Sequence, residues 1–128
     1  MNKNFVAVDT SGNYLTVVAG KSGEFYSVSI PNCMMKHSVS VMPAVDEVLK
    51  KANMALEECD FFSAVVGAGS FTGIRIGISV VKGFCLAYNK PSLPIYIHFF
   101  LQKRGYSRVA LLFCCKESFL NTFYLFFC

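Results

Sequence analysis

At 128 residues, 54% hydrophobic and 16% charged, the chain has room for one domain with a real core, too little for two, and no composition for extended disorder. Its net charge is +4, yet residues 1–91 hold eight Lys/Arg against seven Asp/Glu, the excess coming from residues 92–128 with four against one. A nearly neutral body without a basic stripe does not argue for an RNA-binding surface.

In chain order, Phe5–Val8 is an apolar run that predicts a strand, and Asp9-Thr10-Ser11-Gly12 a turn. Tyr14–Ala19 predicts a second strand; Lys21-Ser22-Gly23 turns the chain into a third over Phe25–Ile30. Links this short imply an antiparallel meander. Val41, Met42, Val45, Val48, Leu49 and Ala52 recur at helix spacing opposite Asp46, Glu47, Lys50 and Lys51. Ser38 or Ser40 is the expected N-cap, with Pro43 in the first turn or at a kink. Phe61–Val66 is a fourth strand, Gly67–Gly73 a glycine hinge, and Ile78–Tyr88 a second helix. The order β-β-β-α-β-α gives a mixed sheet with helices packed on it, an α/β layer architecture.

After Pro91 the character changes. Seven of the thirteen Phe lie in residues 99–128, and neither period 2 nor period 3.6 is sustained there. Leu93–Phe100 is a candidate strand. Residues 92–128 otherwise read either as a hydrophobic C-terminal helix or strand pair or, the reading preferred, as an aberrant or truncated hydrophobic tail such as a frame shift produces, with residues 1–91 forming the domain. No uncharged run in that tail reaches the length of a membrane span, and Met1–Asn4 leads at once into a strand instead of a secretory leader. Cys33, Cys59, Cys85, Cys114, Cys115 and Cys128 form no C-x-x-C pair and no metal spacing with His37 or His98. Reduced thiols in the cytoplasm are expected.

Two segments carry candidate chemistry. Asp9, Thr10 and Ser11 at the end of the first strand have the layout of a phosphate-facing loop, although the same residues serve any tight hairpin. Gly67, Gly69 and Ser70 precede a helix start, a natural anion site, but no Gly-Lys-Ser/Thr follows and no acidic residue lies between Asp60 and Glu117 to hold a ribose. Gly73 and Gly77, four apart, stack on one helix face and permit close approach by another helix, either a partner's or the chain's own first helix. Ile74 and Val81 continue that face. His37 reads as a structural histidine and Arg75 as a snorkelling or paired side chain.

Val6–Ser11, His37-Ser38, Met42-Pro43, Asp46–Leu49, Gly67-x-Gly69-Ser70-Phe71-Thr72-Gly73-Ile74-Arg75-Ile76-Gly77, Lys82-Gly83 and Asn89-Lys90-Pro91 resemble, in order and spacing over residues 5–91, the TsaB (YeaZ) family. This is the dimerisation subunit of the bacterial tRNA threonylcarbamoyladenosine machinery. The resemblance implies the first lobe of an actin-like, Hsp70-like (ribonuclease H-like) ATPase fold. It also implies a non-catalytic scaffold, a degenerate relative of the catalytic subunit TsaD without its metal-binding histidine pair; His98 stands alone here. Such a scaffold binds TsaD through a helix bundle, is joined by the ATPase TsaE, pairs with itself when alone, meets tRNA only indirectly and avoids membranes. Carried over, the partner interface comprises Met42, Val45, Leu49, Gly73, Ile74, Gly77 and Val81. No cofactor is implied beyond ATP or ADP at the complex interface, with Asp9, Thr10, Ser11, Gly67, Gly69 and Ser70 as a vestigial nucleotide site. Ala68 replaces the family's usual proline, and a second lobe is not recognisable after Pro91. Two other readings stand beside the scaffold: an ATP-binding acyl- or phosphotransferase lobe, and a homodimeric module without a tRNA role.

Overall fold

The computed structural model describes residues 3–33, 35–67 and 69–96. Among these residues the sheet has five strands in the order β3-β2-β1-β4-β5. They are β1 (Phe5–Asp9), β2 (Leu15–Lys21), β3 (Glu24–Ile30), β4 (Phe61–Gly67) and β5 (Ser92–Tyr96). β1 pairs antiparallel with β2, and β2 with β3, while β4 runs parallel to both β1 and β5. The β2–β3 hairpin closes through Ser22 and Gly23, both left-handed at φ 51° and 87°, the combination a two-residue turn needs to match strand twist. Asp9 is not a turn residue: it is the last of β1, opposite Thr16.

β5 carries the sheet past Pro91 to Tyr96, with Leu93 opposite Ser63. Pro94, which has no N–H to donate, suits a strand at the sheet's edge. The expected strand over Leu93–Phe100 therefore starts one residue earlier; residues 97–100 and the expected tail lie outside the described residues.

Helices α1 (His37–Ala52) and α2 (Phe71–Tyr88) lie on the same side of the sheet. Val41, Ala44, Val45, Val48 and Ala52 of α1 join Leu15, Val17 and Val28 in one core, which also takes Val81 and Phe84 of α2 with Phe62 and Ala64 of β4. α1 begins earlier than its serines suggest. Its N-cap is Lys36, with no side-chain cap, and the Lys36 carbonyl accepts from the Val39 and Ser40 amides. Ser38 and Ser40 are thus inside the helix, and Pro43 is its seventh residue. Its missing N–H falls opposite the carbonyl of Val39, on the solvent side. Asn53 and Asn89 end the two helices in the left-handed conformation that asparagine tolerates.

At the start of β1 the Phe5 ring stacks on Phe61 at 5.2 Å between centroids and tilts against Phe25 at 6.1 Å. Gly20, opposite Phe5 on β2, leaves this ring its place; a Cβ there would fall inside the ring's van der Waals radius.

By length and composition α2 is long and apolar enough to cross a bilayer. In the fold it lies along β4, with Phe84 and Tyr88 against the Phe62 ring. Part of its apolar character therefore serves the sheet.

Candidate functional site

The turn after β1 meets the start of α2, as the two candidate motifs require, but their polar atoms bond to each other. Asp9 Oδ1 accepts from both the Ser11 amide (2.9 Å) and the Ser11 hydroxyl (2.6 Å), the local closure by which an aspartate shapes a turn. The Ser11 carbonyl accepts from the Ser70 amide at 2.7 Å. Ser70 is the N-cap of α2, its hydroxyl accepting from Gly73 N at 3.4 Å. Asp9, Thr10 and Ser11 are buried.

Thr10 goes furthest. Its hydroxyl donates to the carbonyl of Gly73 at 2.5 Å and accepts from the amide of Gly77 at 3.1 Å. The two glycines expected to receive a helix instead receive this turn. A Cβ on Gly73 would lie under 3.0 Å from the Thr10 carbonyl oxygen, and one on Gly77 2.6 Å from its Oγ1. Gly69 stands in the same relation to the Ser11 carbonyl. None of the three has a left-handed φ, so each is there for space and not for flexibility. The expected hinge over Gly67–Gly73 is accordingly shorter, because α2 is already helical from Phe71 and not only from Ile78.

His37 reinforces the turn from the other helix. Its ring is buried and Nε2–H donates to the Gly12 carbonyl at 2.9 Å, while Nδ1 meets no hydrogen-bonding partner among the described residues. This is a structural histidine. The Cys33 amide completes the set by donating to the Asn13 carbonyl at 2.9 Å.

The seven residues expected at a partner interface do not form one surface. Val45 is fully buried in the core, and Gly73, Gly77 and Val81 are buried beneath their own chain. Leu49 packs in part on the core and lines a depression with Lys21, Lys50 and Met54 at the far end of α1. Ile74 is half-buried, and Met42 is 43% exposed. Met42 follows Val41 directly, so it sits about 100° round the helix from the buried stripe.

What the helix pair does expose was not evident from the glycines. Val39 is 76% exposed on α1 and Phe71 75% exposed on α2. Arg75, four residues after Phe71, lays its guanidinium over that ring at 5.4 Å from the centroid. Between the helices runs a shallow groove lined by Ser38, Thr72, Arg75, Ile76, Ser79 and Val80. An apolar residue off the buried stripe, such as Val39, is the sequence signal that marks such a surface.

Cys59 and Cys85 are poor nucleophiles. Burial, then the neighbouring Asp60 and Glu58 carboxylates, push Cys59 up to about 12, and burial also raises Cys85. Both remain protonated near neutral pH.

Residues 30–98, over half of the chain, match the family model described as TsaD: tRNA N6-adenosine threonylcarbamoyltransferase. The tRNA threonylcarbamoyladenosine biosynthesis protein TsaB of Buchnera aphidicola subsp. Schizaphis graminum (strain Sg) is 32% identical over 95 residues, 74% of this chain and 45% of the relative. That of Haemophilus influenzae (strain ATCC 51907 / DSM 11121 / KW20 / Rd) is 29% identical over 94 residues, 73% of this chain and 39% of the relative. The solved structure of YeaZ from Pseudomonas aeruginosa superposes with a TM-score of 0.74 at 31% identity, covering 83% of this chain and 49% of that one. The chain belongs to the TsaB (YeaZ) family. Its mixed sheet with two helices is an actin-like ATPase-type lobe, as the resemblance over residues 5–91 implies. The chain spans less than half the length of these TsaB and YeaZ relatives.

Proposed function

We propose that this chain is a non-catalytic interaction subunit in the formation of threonylcarbamoyladenosine in tRNA. In this reading it docks the threonylcarbamoyltransferase TsaD through the outer surface of α1 and α2, and pairs with itself through the same surface when TsaD is absent. Family membership supports the pathway, since the TsaB relatives are named for this biosynthesis. The observation that carries the docking role is the exposed apolar surface of the helix pair. Val39 and Met42 on α1 and Phe71 on α2 are large apolar side chains left exposed, on the two helices that flank the groove, and apolar and aromatic exposure of this kind is what a protein contact covers. The turn at Asp9, Thr10 and Ser11 then acts as a clasp and not as a phosphate cradle, because the contacts of its carboxylate and hydroxyls with Ser11, Gly73 and Gly77 hold the fold together.

The test is titration of purified TsaD into the full chain and into a Val39→Glu/Met42→Asp variant. Both positions are exposed, so thermal stability should change by no more than about 0.5 kcal/mol, while association weakens at least about tenfold. Equal affinity of the two chains would remove this surface from the reading.

A further inference from the structure

An undisturbed α-helix bonds each N–H to the carbonyl four residues back, and for Gly77 that carbonyl is Gly73's. The Thr10 hydroxyl reaches both of these groups, 2.5 Å from the Gly73 oxygen and 3.1 Å from the Gly77 nitrogen. A side chain from the turn after β1 thus shares two groups of the hydrogen-bond ladder of α2, and the two glycines supply the room for it. One turn earlier the Ser70 amide is held by the Ser11 carbonyl. The first two turns of α2 are therefore gripped from one side at Ser70, Gly73 and Gly77. At 3.6 residues per turn, Phe71 and Arg75 each sit about 200° from the glycine two places on, so they face nearly the opposite way. A slide or rotation of α2 on its inner contacts moves the outer ones by a similar amount.

We propose that Thr10 is a positioning residue for the α2 half of the docking surface: its hydroxyl sets where the first two turns of α2, with Phe71 and Arg75 on them, stand relative to α1. Its effect on docking rests on the function proposed above; its effect on the helix does not. A valine at position 10 keeps the shape but puts a methyl where the hydroxyl meets N–H and C=O, closer than a carbon can sit, and so pushes the helix away. A serine retains the hydroxyl.

The experiment compares the full chain with Thr10→Val and Thr10→Ser by residue-resolved amide hydrogen exchange and by titration with TsaD, at a temperature where all three are folded. In Thr10→Val the amides of residues 74–78 should exchange at least about tenfold faster relative to those of Val17 and Val18 in β2, and affinity for TsaD should fall about tenfold. Thr10→Ser should stay within about threefold of the parent on both measures. Unchanged exchange at residues 74–78, or equal acceleration in β2, would overturn the proposal, the latter revealing a general loss of stability. So would Thr10→Val binding TsaD as tightly as the parent despite faster exchange. A parent chain that ignores TsaD would sink the docking reading and the Thr10 effect on docking with it, while the exchange pattern still decides whether Thr10 holds the helix.

Discussion

The two helices share one side of the sheet but meet it by different means. α1 lays down side chains: Val41, Ala44, Val45, Val48 and Ala52 form a stripe whose burial supplies the stabilisation. α2 does so mainly from Ile78 onward, with Val81 and Phe84 buried. In its first half it brings its backbone against the turn after β1 and is held by hydrogen bonds at Ser70, Gly73 and Gly77. Side-chain packing tolerates small errors of shape, because neighbours relax into a gap; backbone against backbone leaves nothing to relax. The contrast therefore makes α2 the less forgiving helix, and substitutions can test it.

The largest effect is expected at Gly73. Gly73→Ala drives a Cβ into the Thr10 carbonyl, which is main chain and cannot rotate aside, so a loss of more than about 3 kcal/mol or failure to fold is expected in urea or thermal melts. Next comes Val48→Ala on α1, which removes two buried methyls for about 2 kcal/mol while leaving a folded, cooperative domain. If Val48→Ala proved as damaging as Gly73→Ala, the distinction between the helices would fail. The smallest effect is at Gly83, also in α2 but with nothing within 4 Å of its Cβ position. Gly83→Ala should stabilise the domain by about 0.5–1 kcal/mol through helix propensity alone, read as a rise in melting temperature. A destabilising Gly83→Ala would mean that glycines of α2 matter beyond the clasp.

The strands and helices were legible in residue order because their signals are local: β-branched runs between Gly, Asn and Ser turns, and the apolar spacing of α1. Errors arose where a local sign had two meanings. Gly67–Gly73 looks like a flexible hinge, yet α2 is helical from Phe71, and the glycines at 73 and 77 serve for their thinness. Ser38 and Ser40 look like caps, but Lys36 closes α1 with backbone bonds alone. Gly73 and Gly77 correctly announced a close approach. They could not say what approaches, since Thr10 lies 63 positions from Gly73 and nothing in the helix encodes a turn so distant. Met42 was grouped with the stripe by proximity to Val41, and only the helix phase separates them.

The aromatic row over Gly20 bears on a different question: how a central strand of five residues keeps its alignment. Its leading ring is seated in a notch on one neighbour, and just beyond its last residue a hydroxyl is threaded into a helix. Sliding by a single step would unseat the ring, withdraw the hydroxyl and turn every buried side chain to the wrong face together. The strand is keyed at both ends, so misaligned pairings lose two anchors at once and the correct alignment stands well apart in energy.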